Sequence, residues 1–327
     1  MGNDGMQTWL CLSGGNALGA FHAGAWKAIQ DAALNVTRIS GASIGAIVAA
    51  VIAGNPPDRR VESLDRFLNN IAQSAVSGSG RRRLVTGTLL FGNPARFSPS
   101  VPGLAEILPG VPPDRAVFHR RATRRLIEEY VDFELLNAGG IEVTVTATDA
   151  ETGTVAAFRN TVEPLTVDHL MASSALPVLF PPVTLSGRHF MDAGLAENLP
   201  LRPLLDRPGD AAIIALDLFT KAGTMLETMD GIGTRAQELF FAGQSVCIIQ
   251  CADLKGRDFH HVVLTDPDDV FVGKAFDFGR SNLERRVELG KLLTAASLAD
   301  LHVPIPVPGE TPMKGSSDDP DPSSRPA

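Results

Sequence analysis

Gly41-Ala42-Ser43-Ile44-Gly45 decides how this 327-residue chain is read. The G-x-S-x-G pattern predicts a serine on a sharp strand-to-helix turn, with its hydroxyl held out of the backbone. The flanks agree with that placement. Thr37–Ser40 reads as the end of a short strand. Ile44–Ala53 is almost wholly apolar and too long for a typical buried strand, so it reads as a buried helix. Gly54 and then Pro56-Pro57 stop it. Upstream, Thr8–Leu12 reads as a buried strand, followed by the glycine-rich run Ser13-Gly14-Gly15-Asn16-Ala17-Leu18-Gly19 and a helix over about 20–33. Consecutive backbone N–H groups in such a run can converge on one anion, and a helix N-terminus adds partial positive charge.

The chemistry follows from these two pieces. A serine hydroxyl is a weak nucleophile until a base takes its proton. A tetrahedral acyl intermediate needs donors for its developing oxyanion. Ser43 is the candidate nucleophile, and Gly14, Gly15, Asn16 and Gly19 are the candidate oxyanion residues. Two other readings of the glycine run fail on spacing. A P-loop needs a Gly-Lys-Ser/Thr ending, and a dinucleotide fingerprint needs G-x-G-x-x-G.

Four blocks in order carry a resemblance. They are Ser13–Gly19 running into Ala20-Phe21-His22-Ala23-Gly24, the elbow Gly41–Gly45, Ala172-Ser173-Ser174-Ala175-Leu176-Pro177-Val178-Leu179-Phe180-Pro181-Pro182, and Asp192-Ala193-Gly194 leading into Glu197-Asn198-Leu199-Pro200-Leu201. Together they make the chain similar to the patatin-like phospholipases, of the bacterial kind related to the neuropathy-target-esterase lineage. The resemblance covers about Trp9 to Leu301. It implies a Ser–Asp dyad, Ser43 with Asp192, acting on a lipid or other acyl ester without metal or cofactor. The chain departs from the family pattern at three places: Asn16 replaces the third loop glycine, Leu18 replaces the usual loop Arg or Lys, and Ala193 replaces a glycine. Asn tolerates positive φ better than other non-glycine residues, so the loop can still form.

Alternatives follow from the same residues. A Ser–Asp–His order with His260, His261 or His302 as base is the rival, but Ser43 leaves room for only about two strands before it. A second rival is a catalytically weak, membrane-associated regulatory protein. A third is an acyltransferase using the same acyl-enzyme, against which the absence of a histidine beside the elbow serine, where Ala42 stands, counts.

Strands are expected near 8–13, 36–40, 141–149, 183–191, 211–217 and 260–265. Helices are expected near 19–33, 44–53, 59–75, 117–131, 166–173, 227–250 and 276–300. This alternation predicts a layered α/β/α fold with a mostly parallel central sheet. Residues 1–307 read as one hydrolase domain, 76–116 as a lid or insertion within it, and 308–327 as a disordered tail.

Net charge is −8, yet 59–125 holds twelve arginines, no lysine and four acids. The clusters Arg81-Arg82-Arg83 and Arg120/Arg121/Arg124/Arg125 flank Leu89-Leu90-Phe91, which suggests peripheral contact with an anionic bilayer. No aromatic interleaving supports nucleic-acid binding. No apolar run reaches membrane-span length. Met1–Met6 has no signal-peptide character, so the expected location is the cytoplasm, with peripheral membrane attachment as a second expectation. Cys11, Cys247 and Cys251 read as buried thiols.

Overall fold

The computed structural model describes residues 7–74, 79–267 and 269–299. In chain order the first half is β1 Gln7–Leu12, α1 Ala20–Asp31, β2 Asn35–Ala42, α2 Ile44–Ala53, α3 Arg60–Ile71, α4 Ser79–Phe91, β3 Ser98–Pro99, β4 Phe118–His119, α5 Arg121–Tyr130, α6 Phe133–Asn137 and β5 Glu142–Asp149. The second half is β6 Val155–Arg159, α7 Val167–Ser173, β7 Val183–Leu185, β8 Arg188–Met191, α8 Arg202–Leu205, β9 Ala211–Asp217, α9 Met229–Cys251, β10 Phe259–Val263 and α10 Arg280–Ala299.

One eight-stranded sheet runs in the order β10-β9-β1-β2-β5-β8-β7, with β6 also on β5. The ladders joining β10, β9, β1, β2 and β5 are parallel. Those of β5 with β6 and β8, and of β7 with β8, are antiparallel. Parallel strands buried on both faces read as continuous apolar runs, and β1 shows why. Leu10 and Leu12 face the main core with Ile39, Ile47 and Val143, while Trp9 and Cys11 face a second cluster with Leu199, Leu204 and Ile248. Helices therefore cover both sides, as the α/β/α reading requires. α1 and α10 pack so closely that a Cβ on Gly24 would strike the Val287 carbonyl and one on Gly290 the Phe21 carbonyl.

Two local expectations change. The single strand expected at 183–191 is a hairpin, β7 and β8, turning through Ser186 (φ 48°) and Gly187 (φ 79°). A serine-glycine pair with positive φ at both positions matches the right-handed strand twist and folds the run back on itself. Within the expected insertion at 76–116, α4 occupies 79–91. The expected tail at 308–327 lies outside the described residues. Among those described, no helix is long and apolar enough to cross a membrane. Cys11 is buried, but Cys247 and Cys251 are exposed, because their shared i, i+4 face of α9 turns to solvent.

Candidate active site

Ser43 stands between β2 and α2 with φ 53° and ψ −117°, a strained turn that lifts the side chain clear of both elements. Glycine flanks make the turn feasible. A Cβ on Gly41 would lie 2.6 Å from the Ala46 nitrogen, and one on Gly45 would collide with the Leu12 carbonyl. The Ser43 N–H donates to Ser173 Oγ at 2.8 Å, so the end of α7 pins the elbow. Ser173 is fully buried and was not singled out from sequence, although it sits inside the third motif block.

Asp192 follows β8. Its N–H donates to the Ala175 carbonyl at 2.9 Å, and Thr148 Oγ1 donates to its carbonyl at 2.9 Å. With the backbone held from two sides, the carboxylate accepts from the Gly194 N–H at 2.8 Å and from Ser43 Oγ at 2.8 Å. Burial pushes its pKa up from 3.8 to about 6, opposed by the Gly194 and Ser43 hydrogen bonds and by the Arg120 charge. The group stays largely ionised at neutral pH while being a far better base than a solvated carboxylate.

The glycine run forms the wall beside Ser43, and its four expected oxyanion residues divide. Gly14 donates its N–H to the Asn198 carbonyl at 3.1 Å, so that donor is already used. Gly19 packs against Ile44 at the start of α1, where a Cβ would clash, and so serves packing. The N–H groups of Gly15 and Asn16 have no partner among the described residues, and both residues line the pocket. Asn16 takes φ 52°, the left-handed conformation that its replacement of glycine requires. Asn198 braces the run from the opposite side, with Nδ2 donating to the Gly14 carbonyl at 3.2 Å.

The pocket encloses about 620 Å³, including its open mouth. Beside Ser43 and Asp192 it is walled by Leu176, Phe180, Phe219, Phe241 and Phe276, a lining suited to acyl chains. Phe219 and Phe241 stack at 4.6 Å. Two arginines enter it from the arginine-rich segment, Arg96 and Arg120. Arg120 donates to the Ser174 carbonyl (2.7 Å), Ser174 Oγ (2.9 Å) and the Met171 carbonyl (2.6 Å), closing the C-terminus of α7. Burial lowers its pKa to about 9, still well above neutrality.

The histidines stand elsewhere. His260 contacts Ser297 Oγ and His261 contacts Asp217 Oδ2, each at 3.3 Å, and neither lines the pocket. His302 lies outside the described residues. Among the described residues no group of three His, Cys, Asp or Glu is placed to hold a metal ion.

Arg81 pairs with Asp269 and Asp277, Arg82 with Asp230, and Arg124 with Asp168 and Glu128. Much of the expected basic surface is thus spent inside the protein, Arg120 included.

Several solved structures are similar to this chain at low identity. VipD from Legionella pneumophila is 15% identical with a TM-score of 0.45, covering 90% of this chain and 67% of that one. Full-length ExoU with SpcU from Pseudomonas aeruginosa is 16% identical with a TM-score of 0.39, covering 90% and 52%. Human GIVD cytosolic phospholipase A2 in complex with methyl gamma-linolenyl fluorophosphonate is 13% identical with a TM-score of 0.47, covering 90% and 58%. The chain thus spans little more than half the length of the last two. No curated protein sequence matches it significantly. Residues 10–205, which hold the glycine run, the elbow, the Ser173 block and Asp192, match the patatin-like phospholipase family, and the chain belongs to that family.

Proposed function

We propose that the protein is a serine acyl-ester hydrolase of the phospholipase A or lysophospholipase type, working through a Ser43–Asp192 dyad. The observation that carries the reading is the 2.8 Å hydrogen bond from Ser43 Oγ to Asp192 Oδ2 beside two N–H groups with no partner among the described residues. Ser43 Oγ attacks the ester carbonyl as Asp192 takes its proton. The carbonyl oxygen becomes an oxyanion held by the Gly15 and Asn16 N–H groups, with the N-terminus of α2 adding its dipole. The tetrahedral intermediate collapses, Asp192 returns the proton to the leaving alcohol, and Ser43 carries the acyl group. Water then attacks the acyl-enzyme while Asp192 accepts its proton, and Asp192 passes that proton to Ser43 Oγ as the acyl–oxygen bond breaks and the fatty acid leaves. The acyl chain rests on the phenylalanine wall.

Kinship with the neuropathy-target-esterase branch is part of the same reading and rests on the four motif blocks. So does one hydrolase domain over 1–307. Peripheral membrane contact falls to Arg83, Arg121 and Arg125, which form no ion pair among the described residues, with the exposed Leu90, Phe91, Val101 and Ile107, since Arg81, Arg82 and Arg124 are paired and Arg120 is buried.

Activity-based labelling tests the reading. A fluorophosphonate is expected to modify Ser43 alone, and Ser43→Ala to lose both the label and hydrolysis across a panel of lipid classes. Label retained by Ser43→Ala protein, or equal loss of activity in His261→Gln, overturns the dyad.

A further inference from the structure

The pocket holds more positive charge than negative. Its charged groups are Asp192, Arg96 and Arg120. Arg120 has its terminal nitrogens bonded to α7 and interacts with Asp192. Arg96 is placed differently. It is 6% exposed, and of its five guanidinium N–H donors only one finds a partner among the described residues, Nη1 to Asn16 Oδ1 at 2.6 Å. Its Nε is buried without a partner. No carboxylate pairs with it among the described residues. Its guanidinium carbon lies 5.2 Å from the Phe278 ring centroid, a contact that leaves the nitrogens free for other partners.

The backbone beneath it is fixed. The Arg96 N–H donates to the Asn93 carbonyl at 2.7 Å. Its carbonyl accepts from the Thr123 N–H at 2.8 Å and from Thr123 Oγ1 at 2.5 Å. Arg96 and Arg120 are also near enough to repel, since the Arg96 charge is among the influences lowering Arg120. Two guanidinium groups in one desolvated pocket, facing a single carboxylate, are unfavourable unless a further anion joins them. Arginine's planar fork suits a phosphate or carboxylate, which it can hold through two parallel bonds.

We propose that Arg96 is an anion subsite beside the oxyanion loop, and that the ligand it takes is an acyl lipid bearing a phosphate or carboxylate near the reacting ester. The proposal rests on the lipid-ester reading above. It adds which lipids are favoured: those with an anionic group that can meet Arg96 while the ester carbonyl meets Gly15 and Asn16. A neutral glyceride leaves the guanidinium unmatched and binds less well. The bond to Asn16 Oδ1 fixes the distance between the anion and the oxyanion donors, so Arg96 sets register as well as charge.

Binding tests this without turnover, so its result stands whether or not the hydrolase reading does. Calorimetry on Ser43→Ala protein compares decyl phosphate, decanoate and decanol, three ligands sharing one chain. Decyl phosphate is expected to bind at least about tenfold tighter than decanol. Arg96→Gln in the same background is expected to remove that preference, and Arg96→Lys to restore part of it, because lysine keeps the charge and loses the fork. A gain for decyl phosphate alone assigns the subsite to the lipid headgroup. An equal gain for decanoate assigns it to the carboxylate of a released fatty acid as well. Equal affinity for decyl phosphate and decanol overturns the proposal, as does a preference that survives in Arg96→Gln. Should Arg96→Gln fail to fold, full retention of the preference in Arg96→Met, which keeps the apolar stem on Phe278, overturns it as well.

Discussion

The elbow region, β2 through α2, and the arginine-rich region, α4 through α5, hold their shape by opposite means. The first is apolar and close-packed. Every residue from Ser40 to Ala53 is buried, and Gly41 and Gly45 lie against neighbouring backbone with no room for a methyl group. The second anchors Phe97, Phe118 and Ile127 in the core, but its surface and α4 are tied down by charge. Arg81 bridges to Asp269 and Asp277, and Asp269 in turn binds Arg286, which is 1% exposed and also donates to the Lys274 and Asp277 carbonyls. The proposed dyad depends on both, because the elbow places Ser43 while the charged region delivers Arg96 and Arg120 to the pocket. Packing therefore fixes Ser43, and ion pairs help frame what surrounds it.

The largest expected effect falls on the chemistry. Ser43→Ala and Asp192→Asn should each lower kcat/KM on a soluble ester by about 10³-fold or more. The rate of the parent should rise with pH through about 6, as Asp192 ionises. Stability should move the other way. A carboxyl whose folded pKa exceeds its unfolded value stabilises most below the unfolded pKa, and that contribution is lost as pH climbs through the folded pKa. Moving a carboxyl from 3.8 to about 6 corresponds to roughly 3 kcal/mol, so Asp192→Asn should be more stable than the parent at pH 8 by up to that amount. A lower Tm for Asp192→Asn at pH 8 contradicts the burial argument.

Breaking the charged latch comes next. Asp269→Asn removes the carboxylate that Arg81 and Arg286 share and should destabilise by about 3–5 kcal/mol in urea unfolding, the usual result of removing one partner of a buried pair. Overfilling the elbow should do less. Gly45→Ala pushes a methyl against the Leu12 carbonyl, with an expected loss of about 1–3 kcal/mol and a larger fall in activity than in stability. If Gly45→Ala proves the more destabilising of the two, the contrast between the regions collapses. The smallest effect belongs to Arg83→Glu on exposed α4, which should stay within about 0.5 kcal/mol in stability. Its pelleting with anionic vesicles should nonetheless weaken roughly tenfold at low salt. Unchanged pelleting removes the membrane role from this segment.

The elbow region was legible in the sequence because its signals are local. An apolar run, a glycine pair and a cap at Gly54 fix β2 and α2 to within a few residues. Asp192 was legible through its motif. The Ser173 Oγ contact to the elbow was not, since it joins positions 130 residues apart and a buried serine among small residues carries no periodic signal. The arginines misled for a related reason. Arg96 and Arg120 look like their exposed neighbours in sequence, and only tertiary contacts with Asn16, Ser174 and Met171 separate them. Gly14 was counted as an oxyanion donor for its place in the loop, but the bond to the Asn198 carbonyl comes from a distant strand connection.

The position of β1 has a consequence for how the protein is made. β1 lies between β2, translated almost at once, and β9, translated some two hundred residues later. The loop after β1 is stapled to the far end of β9: the Ser13 N–H donates to the Leu216 carbonyl at 3.1 Å, and Ser13 Oγ accepts from the Leu218 N–H at 3.0 Å. A ribosome-bound chain that has exposed both Ser43 and Asp192 but not β9 has the proposed nucleophile and base, yet an unanchored edge where the proposed oxyanion loop should be. Such nascent chains should resist fluorophosphonate until about residue 218 has cleared the exit tunnel, so the proposed nucleophile should stay unreactive until the sheet closes.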